Sequence, residues 1–99
     1  MNPNEALTVI QQLIDGRSGG HRDNDALQKI ISCCACLRSH ISSAYADEKI
    51  TEIQEFADTY FSERKWQRYN GGLSQIGAWV AHNCSTLSQM LPSQDNKTS

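Results

Sequence analysis

No run of apolar residues in this sequence approaches the roughly 18 to 20 needed to cross a bilayer. The opening stretch MNPNEALTVIQQLIDGRSGG also lacks the basic start and unbroken apolar core of a secretory signal. The expectation is a cytoplasmic protein with no membrane partner. Basic charge is not in excess either: 9 Lys and Arg against 11 Asp and Glu leave a formal charge of −2. Non-specific attraction to nucleic acid comes from clustered cations displacing counterions from phosphate, so the balance of charge argues against that class. A disulfide framework is missing as well, because three of the 4 cysteines crowd into positions 33 to 36. Such spacing suits a reducing compartment and leaves the core to apolar packing.

Catalytic constellations are equally absent. His21, His40 and His82 are scattered along the chain, and none stands near a Ser or Cys in a nucleophile context. Glu52 and Glu55 lie side by side on one helical face, as on a solvated surface. Gly19-Gly20 lacks the spacing and the Lys of a phosphate loop and reads as a turn. The chain is therefore read as non-catalytic and free of cofactors. At 99 residues it is one domain, able to hide roughly 60 to 65% of the surface of the unfolded chain and too small for two cores.

What is present is helical periodicity. Asn2 can cap, Pro3 suits a first helical position, and Glu5 meets the helix dipole in the first turn. Ala6, Leu7, Ile10, Leu13 and Ile14 then recur at spacings of three and four before Gly16, which predicts a first helix over 3–15. Arg17 to Asn24 reads as a mobile linker that supplies Asp23 or Asn24 as the next cap.

The second helix starts near Asp25 and carries Leu27, Ile30, Cys34, Leu37, Ile41 and Ala44 on one seam. From there to Tyr69 the chain holds neither Gly nor Pro, so propensity alone would allow one long helix. At about 100° per residue, however, Ile50, Ile53, Ala57 and Tyr60 fall nearly opposite the continuation of that seam. A break is therefore expected around Ala46 to Lys49, with Asp47 as cap or Thr51 and Gln54 in a capping box. The third helix then runs to about Tyr69, where Asn70-Gly71-Gly72 ends it. A fourth presents Leu73, Ile76, Val80, Cys84, Leu87 and Leu91, with Gly77 and Ala81 allowing close approach of another backbone. The reading is all-α: a single-domain compact antiparallel bundle of four amphipathic helices over 1–91, and a polar, disordered tail over 92–99.

Two clusters are candidate sites. Cys33, Cys36 and His40 share a helical face within about 60°, whereas Cys34 points into the seam. Thiolates and imidazole suit zinc, so a metal-binding or redox module through these three residues is one alternative. It lacks a fourth ligand, because Cys84 belongs to the fourth seam and His82 to the opposite side of its helix. Packing by small apolar thiols is the preferred reading.

The other cluster lies on the third helix. If that helix stays straight to Tyr69, the acidic row Glu48, Glu52 and Glu55 shares a face with Trp66, flanked by Tyr69, Arg64 and Arg68. Aromatics and Arg are enriched at binding hot spots, and this face would engage a larger protein partner. The chain is accordingly read as a small adaptor, inhibitor or chaperone-like regulator, with self-association compatible with that role. In the competing arrangement the helix ends near Ser62 and Trp66 tucks against the fourth helix. A nucleic-acid-binding alternative uses Arg64, Lys65, Trp66, Arg68 and Tyr69 as basic and stacking groups, opposed by the neighbouring acids.

Overall fold

The computed structural model describes residues 1–91 and consists of four α-helices: α1 (Pro3–Leu13), α2 (Asn24–His40), α3 (Ala44–Tyr60) and α4 (Gly72–Met90). A short 3-10 turn, Lys65–Arg68, precedes α4. The tail expected to be disordered, 92–99, lies outside the described residues. Among those described, no helix is long and apolar enough to cross a membrane.

Helices α1, α2 and α3 each begin where a side chain takes up an orphan N–H group. Asn2 and Glu5 form a reciprocal capping box at α1, with the Glu5 N–H donating to Asn2 Oδ1 at 2.8 Å and the Asn2 N–H to Glu5 Oε1 at 3.0 Å. Asp23 caps α2 by accepting from the Ala26 N–H at 3.0 Å. Ser43 does the same for α3 through the Ala46 N–H, also at 3.0 Å. Gly71, left-handed at φ 90°, turns the chain into α4.

The helices close a ring in which α1 packs on α2, α2 on α3, α3 on α4, and α4 back on α1. Contacts across the ring ends show that the helices alternate in direction. The end of α2 meets the starts of α1 and α3 through Cys36 with Met1 and Arg38 with Asp47. At the other end, the loop after α1 meets the last residue of α3 through Gly20 and Tyr60. Ile10, Ile30, Leu37, Ile50, Ile53, Ile76, Val80 and Leu87 fill the interior, together with Tyr60. Gly77 is buried, and a β-carbon there would approach the Gly16 nitrogen to 3.0 Å, so α4 and the loop meet backbone to backbone.

Three expectations need correcting. The break between α2 and α3 lies at Ile41–Ser43, earlier than Ala46–Lys49. Ile41 is buried in an extended conformation, and Ser43 takes the cap. Asp47, Thr51 and Gln54 have another task, since all three accept hydrogen bonds from the Arg38 guanidinium.

Second, α3 ends at Tyr60 instead of Tyr69. Tyr60 and Phe61 are consecutive and both buried, with rings edge to face at 4.9 Å, a placement that turns the chain off the helical path. The Ser62 hydroxyl then donates to the Thr59 carbonyl in the last turn.

Third, the linker over 17–24 is tied down. The Gly20 N–H donates to the Tyr60 carbonyl at 2.9 Å, and the fully buried Tyr60 hydroxyl accepts from the N–H groups of Gly16 (2.8 Å) and Ser18 (3.1 Å). That hydroxyl donates in turn to Asp15 Oδ1 at 3.1 Å. A β-carbon on Gly19 would come within 2.7 Å of Tyr60, so the glycine is required by proximity.

Candidate functional site

The thiol cluster is largely interior. Cys33, Cys34 and Cys84 are buried, Cys36 is half-buried and His40 is exposed. Met1 covers the row that the helical wheel turns outward: its Sδ lies 3.8 Å from Cys33 Sγ, and its carbonyl accepts from Cys36 Sγ at 3.4 Å. His40 Nδ1 is 4.0 Å from Cys36 Sγ but only 3.0 Å from the Cys36 carbonyl oxygen, which it approaches as a donor. Its nitrogen is thus engaged by its own helix. Among the described residues, no group of three or more His, Cys, Asp or Glu side chains is placed to hold a metal ion. Burial pushes the thiols of Cys34 and Cys84 up to about 12 and raises that of Cys33, so these are neutral packing groups at physiological pH.

The segment after α3 also differs from expectation. Because α3 ends at Tyr60, Trp66 sits on the 3-10 turn and leaves the face of Glu48 and Glu55. It is half-buried, its Nε1 donates to the Glu63 carbonyl at 3.2 Å, and its ring covers Gly72 and Gly20. This is the competing arrangement, in which Trp66 tucks against the fourth helix; the indole also reaches the α1–α2 loop at Gly20.

The rest of the basic-aromatic strip diverges. Lys65 Nζ pairs with Asp58 at 2.8 Å, Arg64 and Arg68 stay exposed, and Tyr69 turns the other way onto α4. Within the acidic row, Glu48 and Glu55 remain exposed. Glu52 is half-buried and accepts from Asn83 Nδ2 at 3.0 Å, with Lys49 Nζ 3.6 Å away. Asn83 is itself buried and also donates to the Lys49 carbonyl, which locks this register of α3 against α4.

The tertiary structure brings a different group together at that seam. Phe56 from α3 and Tyr69 from the connection both pack on Trp79 of α4, with ring centroids 5.4 and 5.3 Å apart. The Tyr69 contact is edge to face at 77°. Glu52, Phe56, Tyr69, Trp79, His82 and Asn83 line a depression of about 340 Å³. Trp79 stays 37% exposed at its edge. Further along α3, Tyr45 is 53% exposed with Lys49 Nζ 5.2 Å over its ring.

Sequence reasoning missed Trp79, Phe56, Tyr45 and Asn83. A signal was present: from Gly72 to Met90 the chain contains no Asp, Glu, Lys or Arg, although Ala78, Trp79, Ala81, His82 and Ser85 face outward. An uncharged outer face carrying a Trp is unusual for a solvated helix. The chain matches no family model, no curated protein and no solved structure, so its site is read from its own geometry.

Proposed function

We propose that this chain is a small non-catalytic binding module that engages a larger protein through the seam of α3 and α4. One observation carries the reading: Trp79 is partly exposed at the centre of an aromatic group, on a helix whose outer face has no charge. Partly exposed Trp is a costly surface to leave in water and a common anchor in interfaces, because it contributes large area with few rotamers to freeze. The site keeps the acidic face of α3 from the sequence reading and replaces Trp66 by Trp79 as its anchor. Glu48 and Glu52 form the polar rim, and Phe56 and Tyr69 pack against the indole.

An adaptor, an inhibitor and a chaperone-like regulator would all use such a face. The test is quantitative affinity capture from native cell extract with wild-type protein and with Trp79→Ala. A genuine partner is retained by wild type and weakened by about 2 kcal/mol or more in the variant, roughly 30-fold in Kd. An unchanged set of captured proteins would remove this face from consideration.

A further inference from the structure

From the charge and aromatic pattern of this seam we infer the chemistry of its occupant: a partner segment that places an Arg or Lys side chain over the Trp79 aromatic group, beside apolar residues that cover α4. This rests on the reading of the seam as the binding face. Of the carboxylates of α3, Asp47 pairs with Arg38 and Asp58 with Lys65, and Glu55 lines a separate depression with Arg38, Lys65 and Arg68, which leaves Glu48 and Glu52 to the side of the seam. The opposite wall, α4, carries no Asp, Glu, Lys or Arg. An occupant therefore meets carboxylates on one side, ring faces at the centre and uncharged Ala and Ser positions on the other. A cation is attracted by ring faces and by carboxylates alike, whereas an anion is opposed by both.

The surface already shows this pairing on a small scale. Lys49 Nζ lies 5.2 Å over the Tyr45 ring and 3.6 Å from Glu52. The depression at Phe56, Tyr69 and Trp79 offers more ring surface, and the Glu52 carboxylate lines it. Glu52 is held by Asn83 and Lys49, so the unengaged negative charge comes from the exposed Glu48, one turn away on the same side of α3. The Phe56 and Tyr69 centroids each stand little more than 5 Å from that of Trp79, so the rings touch and leave no room for a cation between them. The cation lies over the outer ring faces, where the planar guanidinium of Arg stacks better than the ammonium of Lys.

The probe is a displayed library of random 15-residue peptides, selected on immobilised wild-type protein in moderate salt. Enriched peptides are then measured against Trp79→Ala and against Glu48→Lys. Glu48 is exposed, so that variant keeps the fold even if loss of Trp79 disturbs the seam. Circular dichroism of each variant is recorded alongside. The expected result is enrichment of Arg or Lys next to at least two apolar residues. Binding should fall at least tenfold when the peptide cation becomes Gln, when Trp79 becomes Ala and when Glu48 becomes Lys. Enriched peptides that need Trp79 but carry no cation, or carry acids, would overturn this inference and leave the seam standing as a binding face. A selection that yields no Trp79-dependent binder would overturn both.

Discussion

Asp15 shows how much one carboxylate can organise. Its Oδ1 accepts from the N–H groups of Arg17 at 2.8 Å and Ser18 at 3.1 Å, from the Ser18 hydroxyl and from the Tyr60 hydroxyl. These bonds, the Arg17 N–H first among them, favour the charged form and pull the acid from 3.8 down to about 2. Because the folded value lies below the unfolded one, the unfolded chain binds the proton more tightly. The contribution of Asp15 to stability is complete above about pH 4 and is lost as pH falls towards 2. Urea unfolding of wild type and Asp15→Asn between pH 2 and 7 checks this. The wild-type advantage should be constant at neutral pH and shrink below pH 4, and a pH-independent difference would refute the account. The sequence offered Gly16 as a stop signal but no hint of this node, because its organiser, Tyr60, is 45 residues away.

At the scale of elements, the separation of α2 from α3 is decided by Ser43 and Ile41. Residues 27 to 69 contain no helix breaker, so the turn exists because burying Ile41 in extended form and capping with Ser43 satisfies both the core and the backbone. Ser43→Ala should cost about 1 kcal/mol in chemical denaturation, and Ser43→Asp, which can still cap, should cost little. The Arg38 bonds to Asp47, Thr51 and Gln54 lie at the surface and add less, as exposed ion pairs do.

Helix α2 also sorts its thiols by face. In native protein, alkylation should label Cys36 first, while Cys33, Cys34 and Cys84 should react only on unfolding. Mass spectrometry of partly labelled protein reads the order directly, and early modification of Cys34 or Cys84 would contradict the packing. The seam position of Cys34 was legible in the helical period, because that period depends only on local geometry. The burial of Cys33 was not, because it depends on how α1 and the Met1 that precedes it pack on α2.

For the whole molecule, the two tryptophans separate stability from binding. Trp66 closes the space between Gly20 and Gly72, where the α1–α2 loop, the 3-10 turn and α4 meet. Trp66→Ala should therefore destabilise the fold by about 2 kcal/mol, below the roughly 3 to 5 kcal/mol of truncating a fully buried aromatic, because the ring is only half-buried. Trp79→Ala should cost about 1 kcal/mol in folding through its lost ring contacts with Phe56 and Tyr69 and, unlike Trp66→Ala, should also weaken binding. Fluorescence of Trp66→Phe and Trp79→Phe distinguishes them before any partner is in hand. The indole of Trp79 should be the more readily quenched by acrylamide, and a better-shielded Trp79 would sink the proposed anchor.

Helix number, the cap at Asn2, and the buried faces led by Ile10, Ile30, Ile50 and Ile76 were determined by the sequence alone. Those signals are local: a cap involves residues three apart, and an apolar face repeats every three or four. The location of the candidate binding surface was a tertiary decision. Had α3 continued past Tyr60 on propensity, Trp66 would have lain on its acidic face and Tyr69 close by. Burial of Tyr60 and Phe61 turned the chain, sent Trp66 into the gap at Gly20 and Gly72, and delivered Tyr69 to Trp79. The competing terms were helix propensity, worth tenths of a kcal/mol per residue, and the burial of two aromatic side chains, worth about 1.5 to 3 kcal/mol each. Only the folded chain supplies the second term, because the surroundings of those rings come from distant segments: the α1–α2 loop closes on Tyr60, and Arg22 and Leu27 lie beside Phe61.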